Sequence, residues 1–308
     1  MHLIITDRRA LTDRVTEFTL RRPDDERLPD WAPGAHIDVI LADGTTRQYS
    51  LCGDRWDGHS YRIAIQREPA GRGGSLAMHE MLQVGSAVGF GGPRNNFRLA
   101  PASRYLFVAG GIGITPLLPM VRQADLLGID WQLLYLGRSS TALAYRDELG
   151  AFEDRVTVHC ADEAGRATLD DWRPTDAQTR VYACGPARLI DAVEEWGAPP
   201  DGFAPKIERF AGATPVSTST TTFEVVAARS RASTTVATGE TVVSALRRIG
   251  VDVLTSCAQG VCGTCETGVV SGRPDHRDSL LDDPERMASS CMFPCVSRSL
   301  DPRLVLDL

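Results

Sequence analysis

A chain of 308 residues, 43% of them apolar, is long enough for two or three separate cores, since single domains run to about 100–150 residues. The formal net charge of -7 argues against a nucleic-acid partner, because neutralising phosphates takes a concentration of Lys and Arg. The opening MHLIITDRRALTDR holds no apolar run of signal length and no later stretch would span a bilayer, so the expected address is the cytoplasm, with no membrane partner. Eight cysteines in a reducing compartment then read as metal ligands, catalytic groups or buried thiols rather than disulfides.

Residues 1–101 read as strands and turns. In HIDVILADGTTRQYSL, Ile37, Val39 and Leu41 alternate ahead of an Asp43-Gly44 turn, and Tyr61, Ile63 and Ile65 alternate later, the period of half-buried strands. Repeated short strands with little helix predict a small antiparallel barrel. Two of its segments can meet a ligand. RQYSL places a guanidinium (Arg47), an aromatic face (Tyr49) and a hydroxyl (Ser50) on one strand end. In GRGGSLAMHE, Gly73, Gly74 and Ser75 sit at a predicted helix start, where free N–H groups favour an anion such as a phosphate. Taken alone, RQYSL is as readily an ordinary strand end, and GRGGS reads more readily as a plain Ser-capped loop.

From residue 102 the pattern changes. An apolar strand, Tyr105 to Ala109, meets the glycine turn GGIGITP and a helical pattern from near Thr115; the apolar strands WQLLYLG, VTVHCA and RVYACGP then alternate with helix-like YRDELGAF and ARLIDAVEEW. Strands alternating with helices predict a parallel α/β sheet. Gly111, Gly113 and Thr115 in the turn, and Cys184, Gly185 and Pro186 at the carboxyl end of the last strand, lie where such sheets place nucleotides. The turn is not a full G-x-G-x-x-G, and Cys184 is comparably a buried core thiol.

Small polar residues without periodicity, 213–222, read as a linker, and a third unit follows over 223–308. It contains strand-like FEVVAARS and a short helix that Thr241 can cap. SCAQGVCGTCETG spaces Cys257, Cys262 and Cys265 as C-x4-C-x2-C, which with a distant fourth Cys is the spacing of plant-type [2Fe-2S] sites. Three thiolates within nine residues converge only if the loop wraps tightly, which Gly260 and Gly263 permit. Spacing does not decide between Cys291 and Cys295 as the fourth ligand. Four thiolates also suit tetrahedral zinc, although zinc sites usually pair ligands in two similar knuckles. Cys52, Cys160 and Cys291 read as small buried residues.

In chain order, RQYSL, GRGGS, GGIGITP, YACGP, KIERF and the cysteine tail resemble the phthalate dioxygenase reductase family over essentially the whole chain. MFPCVSR resembles the last-ligand segment of plant-type ferredoxins, which selects Cys295 to join Cys257, Cys262 and Cys265. The resemblance implies a multidomain chain: a flavin-binding antiparallel β-barrel (1–101), an NAD(P)-binding α/β domain with a parallel sheet (102–212), a linker (213–222) and an α+β β-grasp ferredoxin domain (223–308). By the same resemblance Arg47, Tyr49 and Ser50 contact the flavin and Gly74 and Ser75 lie near its phosphate end. Gly111, Gly113, Thr115, Arg138, Cys184, Gly185 and Pro186 line the nicotinamide nucleotide. Cys184, Glu208 and Phe210 are the candidates at the reacting rings, Phe210 as the aromatic over the flavin.

FMN is implied ahead of FAD. NADH is the implied electron donor, and NADPH stays open because Arg138 and Ser139 in LGRSS could also face a 2′-phosphate. The implied activity is hydride transfer from nicotinamide to flavin, then single-electron transfer through the cluster to a Rieske-type terminal oxygenase. One rival keeps the chemistry and makes the client a cytochrome P450; another is a non-catalytic scaffold with a structural zinc or cluster tail. No acid–base pair is required, and the six His residues show no metal-binding spacing.

Overall fold

Alternating apolar residues in the first part of the chain build six antiparallel strands: β1 (His2–Ala10), β2 (Val15–Arg21), β3 (His36–Ile40), β4 (Thr46–Ser50), β5 (Tyr61–Gln66) and, after helix α1 (Gly74–Met81), β6 (Ala87–Arg94). Their order is β4-β3-β6-β1-β2-β5. The two end strands meet, since Leu51 bridges Ile63 and the Cys52 N–H donates to the Arg62 carbonyl at 2.9 Å, so the sheet closes into a barrel. Ile37, Val39, Tyr61, Ile63 and Ile65 point into its core, as their alternation requires. The computed structural model describes residues 2–68, 74–210, 221–281 and 283–308; Gly73 and most of the expected linker lie outside them.

A parallel sheet follows, with β7 (Arg104–Gly110), α2 (Ile114–Leu126), β8 (Asp130–Gly137), α3 (Arg146–Leu149), β9 (Val156–Cys160), α4 (Ala161–Ala164), β10 (Thr179–Cys184), α5 (Ala187–Glu194) and β11 (Lys206–Glu208). The strand order is β11-β10-β7-β8-β9, every pairing parallel. The helix-like YRDELGAF is only partly α-helical: α3 stops after one turn and continues as 3-10 helix. Barrel and sheet share apolar packing, with Val15, Cys52 and Ala64 in the same core cluster as Phe107, Ile114, Leu117 and Met120. By contacts they form one compact unit, Met1–Arg209, and Phe210–Leu308 forms a second.

The second unit holds β12 (Phe223–Ala227), β13 (Ala232–Val236), α6 (Val242–Arg248), β14 (Thr267–Ser271), β15 (Pro274–Asp275), α7 (Asp283–Ala288), β16 (Cys291–Met292), β17 (Arg298–Ser299) and β18 (Arg303–Leu306). Five of these strands form a mixed sheet, β13-β12-β18-β14-β16, in which β12 and β18 run parallel. Helix α6 buries Val242, Val243, Ala245 and Leu246 in the same cluster as Val225 and Leu304, the β-grasp arrangement. Among the described residues no helix is long and apolar enough to cross a membrane.

Candidate functional site

Parallel register sets Glu208, Cys184, Ala109 and Tyr135 level with one another at the carboxyl ends of β11, β10, β7 and β8. The glycine turn leaves β7 at this edge and the Cys184-Gly185-Pro186 turn leaves β10 beside it. The two interlock backbone to backbone: a Cβ on Gly113 would run into the Cys184 carbonyl, and one on Gly185 would lie 3.0 Å from the Gly110 backbone. Glycine is required where main chains approach this closely. Gly111 adopts φ +54°, and the Tyr135 hydroxyl donates to its carbonyl at 3.1 Å, holding the turn. Pro186 then starts α5 from an extended conformation.

Thr115 is buried in the first turn of α2, where its hydroxyl donates to the Ile112 carbonyl at 3.0 Å. Arg138 follows β8 and has no side-chain hydrogen bond or ion pair among the described residues, leaving its guanidinium open to an anion. Burial raises the Cys184 thiol well above its ordinary value, with the Glu208 charge adding to it. Burial also pushes the Glu208 carboxyl up to about 8. Its Oε2 is sealed from solvent with no hydrogen-bond partner among the described residues. Both groups are therefore neutral near pH 7, so neither brings a charge to the ends of β10 and β11. Phe210, two residues beyond Glu208, is 44% exposed.

The barrel approaches this edge through β5, which lies against the glycine turn, against β4 and against α1. Arg47, Tyr49 and Ser50 are on β4; Ser50 is buried, Tyr49 packs against the barrel core, and Arg47 donates to the Thr46 carbonyl with no ion pair among the described residues. A half-buried guanidinium without a carboxylate partner fits an anionic group. Gly74 and Ser75 open α1, and the Ser75 hydroxyl accepts the Glu68 N–H at 2.9 Å. A separate groove of about 410 Å³, lined by Gly53, Trp56, Arg62, Arg122 and Leu126 among others, includes none of these residues.

In the second unit the cysteine loop closes as its glycines require. Gly260 and Gly263 adopt φ +69° and +76°, and a Cβ on Gly260 would lie 2.6 Å from Val296. The Cys262 thiol is influenced by Cys257, and that of Cys295 by both Cys257 and Cys265, so the four thiols lie together as one connected set. The Gln259 N–H points at the Cys257 sulfur, 3.3 Å away, and the Gly260 N–H at that of Cys295. At Cys295 the contact with Cys257 lowers the thiol, while Cys265 and burial raise it, to about 12 overall. Four soft donors with backbone N–H groups aimed at sulfur fit an iron–sulfur cluster. Burial raises the Cys291 thiol, and the charges of Glu266, Asp278 and Glu285 raise it further; none of these influences comes from another thiol. Among the described residues the single trio of Cys, His or acidic ligand atoms mutually within 4.8 Å is Cys160, Asp162 and Glu163, so the four thiols spread wider than one tetrahedral zinc would hold them.

Sequence spacing had no means of finding Tyr135, Tyr145 or Glu17, whose polar contacts reach across the first unit. An aromatic hydroxyl in a buried strand is the sole hint for Tyr135.

Comparison with known proteins agrees with this arrangement. Residues 225–299 match the 2Fe-2S iron-sulfur cluster binding domain. The chain is 41% identical over 300 residues to the phenoxybenzoate dioxygenase subunit beta of Ectopseudomonas oleovorans, covering 96% of this chain and 93% of that one. It superposes with a TM-score of 0.92 and 37% identity on an intact type IV self-sufficient cytochrome P450 monooxygenase; all of this chain is covered, but it spans 41% of that one. With phthalate dioxygenase reductase, a modular structure for electron transfer from pyridine nucleotides to [2Fe-2S], the TM-score is 0.72 and the identity 34%, covering 100% and 98% of the two chains. The chain belongs to the phthalate dioxygenase reductase family of flavin and iron–sulfur oxidoreductases.

Proposed function

We propose that this protein takes electrons from NADH and delivers them singly, through FMN and a [2Fe-2S] cluster, to a Rieske-type terminal oxygenase. The observation that carries the proposal is the connected set of Cys257, Cys262, Cys265 and Cys295, in a chain whose first unit presents an interlocked nucleotide edge. Bound flavin accepts a hydride and releases electrons one at a time, matching a two-electron donor to a one-electron carrier. The protein's own part is placement. Gly111, Gly113, Thr115, Gly185 and Pro186 shape the seat of the nicotinamide nucleotide, and Arg138 meets a phosphate. Cys184 and Glu208 keep the hydride path dry and neutral. Arg47, Tyr49, Ser50, Gly74 and Ser75 hold the flavin, and Phe210 covers it.

In this proposal the domain divisions fall at 101/102 and across the 213–222 linker, and the protein works in the cytoplasm, where thiols stay reduced. A cytochrome P450 client is the second reading, favoured by the whole-chain superposition on the P450 monooxygenase. The deciding experiment is an anaerobic visible spectrum before and after NADH, followed by identification of the released flavin and assay of iron. Flavin and cluster bands that bleach with NADH are expected, with FMN in the extract. A colourless, zinc-containing protein isolated under conditions that retain cofactors would sink the proposal. Reconstitution with a Rieske oxygenase and with a P450 then separates the two clients.

A further inference from the structure

Where the barrel meets the parallel sheet, a set of polar contacts away from the nucleotide edge crosses between them. Glu17 on β2 is 3% exposed, and its carboxylate accepts hydrogen bonds from Arg9 at 3.0 Å and Arg62 at 3.3 Å, both on the barrel. A third donor comes from the other side: the Tyr145 hydroxyl reaches the same carboxylate at 2.9 Å. The fully buried Cys52 sulfur lies 3.1 Å from that hydroxyl. Since the phenol proton goes to the carboxylate, the stronger acceptor, the thiol donates, to the phenol oxygen or to the Arg62 carbonyl at 3.3 Å. Burial pushes the Cys52 thiol up to about 12, so it keeps its proton.

Tyr145 reaches this joint from a left-handed backbone conformation, φ +62°, ψ +17°, that a bulky residue adopts only when its surroundings impose it. The same turn launches α3, which brings Glu148 back to the joint, where Arg122 of α2 binds it. Arg122 also donates to the carbonyls of Cys52 and Gly53 at 3.1 and 3.0 Å. Those two residues follow directly on RQYSL, and α2 begins at the glycine turn. One helix therefore connects the nucleotide turn to the loop leaving the strand assigned to flavin.

We propose that Tyr145 is a positioning residue for hydride transfer, fixing through Cys52 and Glu17 how closely the nicotinamide edge faces the flavin strand. The proposal rests on the assignment of RQYSL to the flavin. Apolar packing and ion pairs tolerate sliding, whereas a buried phenol held at two points admits one approach. A displacement of about 1 Å is enough to slow a hydride transfer on the order of 100-fold.

Anaerobic stopped-flow reduction of the holoenzyme by NADH separates the limiting rate from the apparent Kd. Tyr145→Phe should lower the limiting rate of flavin reduction by about tenfold or more and move the Kd by less than about threefold. It should also weaken the long-wavelength charge-transfer absorbance of the stacked rings, a signature that lost stability alone would not move. Cys52→Ser, which keeps a donor, should stay near wild type, and Cys52→Ala should follow Tyr145→Phe. An unchanged limiting rate in flavin-loaded Tyr145→Phe overturns the proposal; if that variant loses its flavin, equal rates for the two Cys52 variants overturn it. Wild-type holoenzyme whose flavin NADH fails to reduce would instead remove the functional assignment, and this proposal with it.

Discussion

The cysteine loop and the nucleotide edge are assembled on opposite scales. Cys257, Cys262 and Cys265 sit in one short loop, with glycines supplying its turns and a single remote residue closing the set. The edge proposed for the nucleotide draws on residues from Gly110 to Glu208, made level by parallel pairing of β7, β8, β10 and β11, and β4, the strand proposed to meet the flavin, reaches it by way of β5. A site of the first kind depends on spacing, and it tolerates changes elsewhere. One of the second kind depends on register and on contacts between sheets, so remote substitutions reach it.

The sharpest way to break this comparison is at the one remote member of the loop. Cys295→Ser should remove nearly all cluster iron and abolish NADH-driven cytochrome c reduction, while leaving flavin reduction by NADH intact. Cys291→Ser should keep its iron, because the charged groups that act on Cys291 are carboxylates and none is a thiol. Iron per chain, measured on purified protein, checks both. Iron loss in Cys291→Ser with retention in Cys295→Ser would reverse the assignment of the fourth ligand.

At the distributed site the corresponding test is Glu208, which register places beside Cys184. Its carboxyl is raised from 4.5 to about 8 by burial, so between those values the unfolded chain has released a proton that the folded chain keeps. Stability from this group is full below about pH 4.5 and falls as pH rises toward about 8, a loss on the order of 3 kcal/mol by pH 7. Glu208→Gln has no proton to release. Urea midpoints of the first unit, followed by flavin release at pH 5 and pH 8, should fall for wild type and change less for the variant. Parallel falls would mean that Glu208 titrates as an exposed carboxylate and that the edge is wet.

The two scales also explain what the sequence made legible. Alternation located Ile37, Val39, Tyr61, Ile63 and Ile65 in the barrel core because a strand's inward face is a property of neighbours two residues apart. Spacing located the cysteine trio for the same reason. Cys52, read as a small buried residue, is buried, yet its thiol meets a hydroxyl 93 residues away, and Glu17 meets the same hydroxyl at a separation of 128. Tyr145 read as part of a helix, yet it stands in a left-handed turn just before α3, its hydroxyl held by those distant partners. Glu208 likewise carried no local sign of depth; the sealing of its Oε2 follows from the pairing of β11 with β10.

Thr241 measures the local scale at its smallest. Helix α6 spans seven residues, too few to persist on its own, and its first turn leaves backbone N–H groups without helical partners. Thr241 satisfies one of them, its Oγ1 accepting from the Ser244 N–H at 3.1 Å with the backbone extended at φ -80°, ψ +152°. Removing that acceptor in Thr241→Ala should cost about 1 kcal/mol, and Thr241→Ser should restore most of it because the hydroxyl, not the methyl, caps the helix. Bleaching of the cluster by urea reads the loss in the second unit, and stopped-flow flavin reduction should stay at the wild-type rate. An equal loss in Thr241→Ser would assign the effect to packing of the methyl group. A slowed flavin reduction would show that the second unit's local structure reaches the distributed site, and the separation of scales between the two units would fail there.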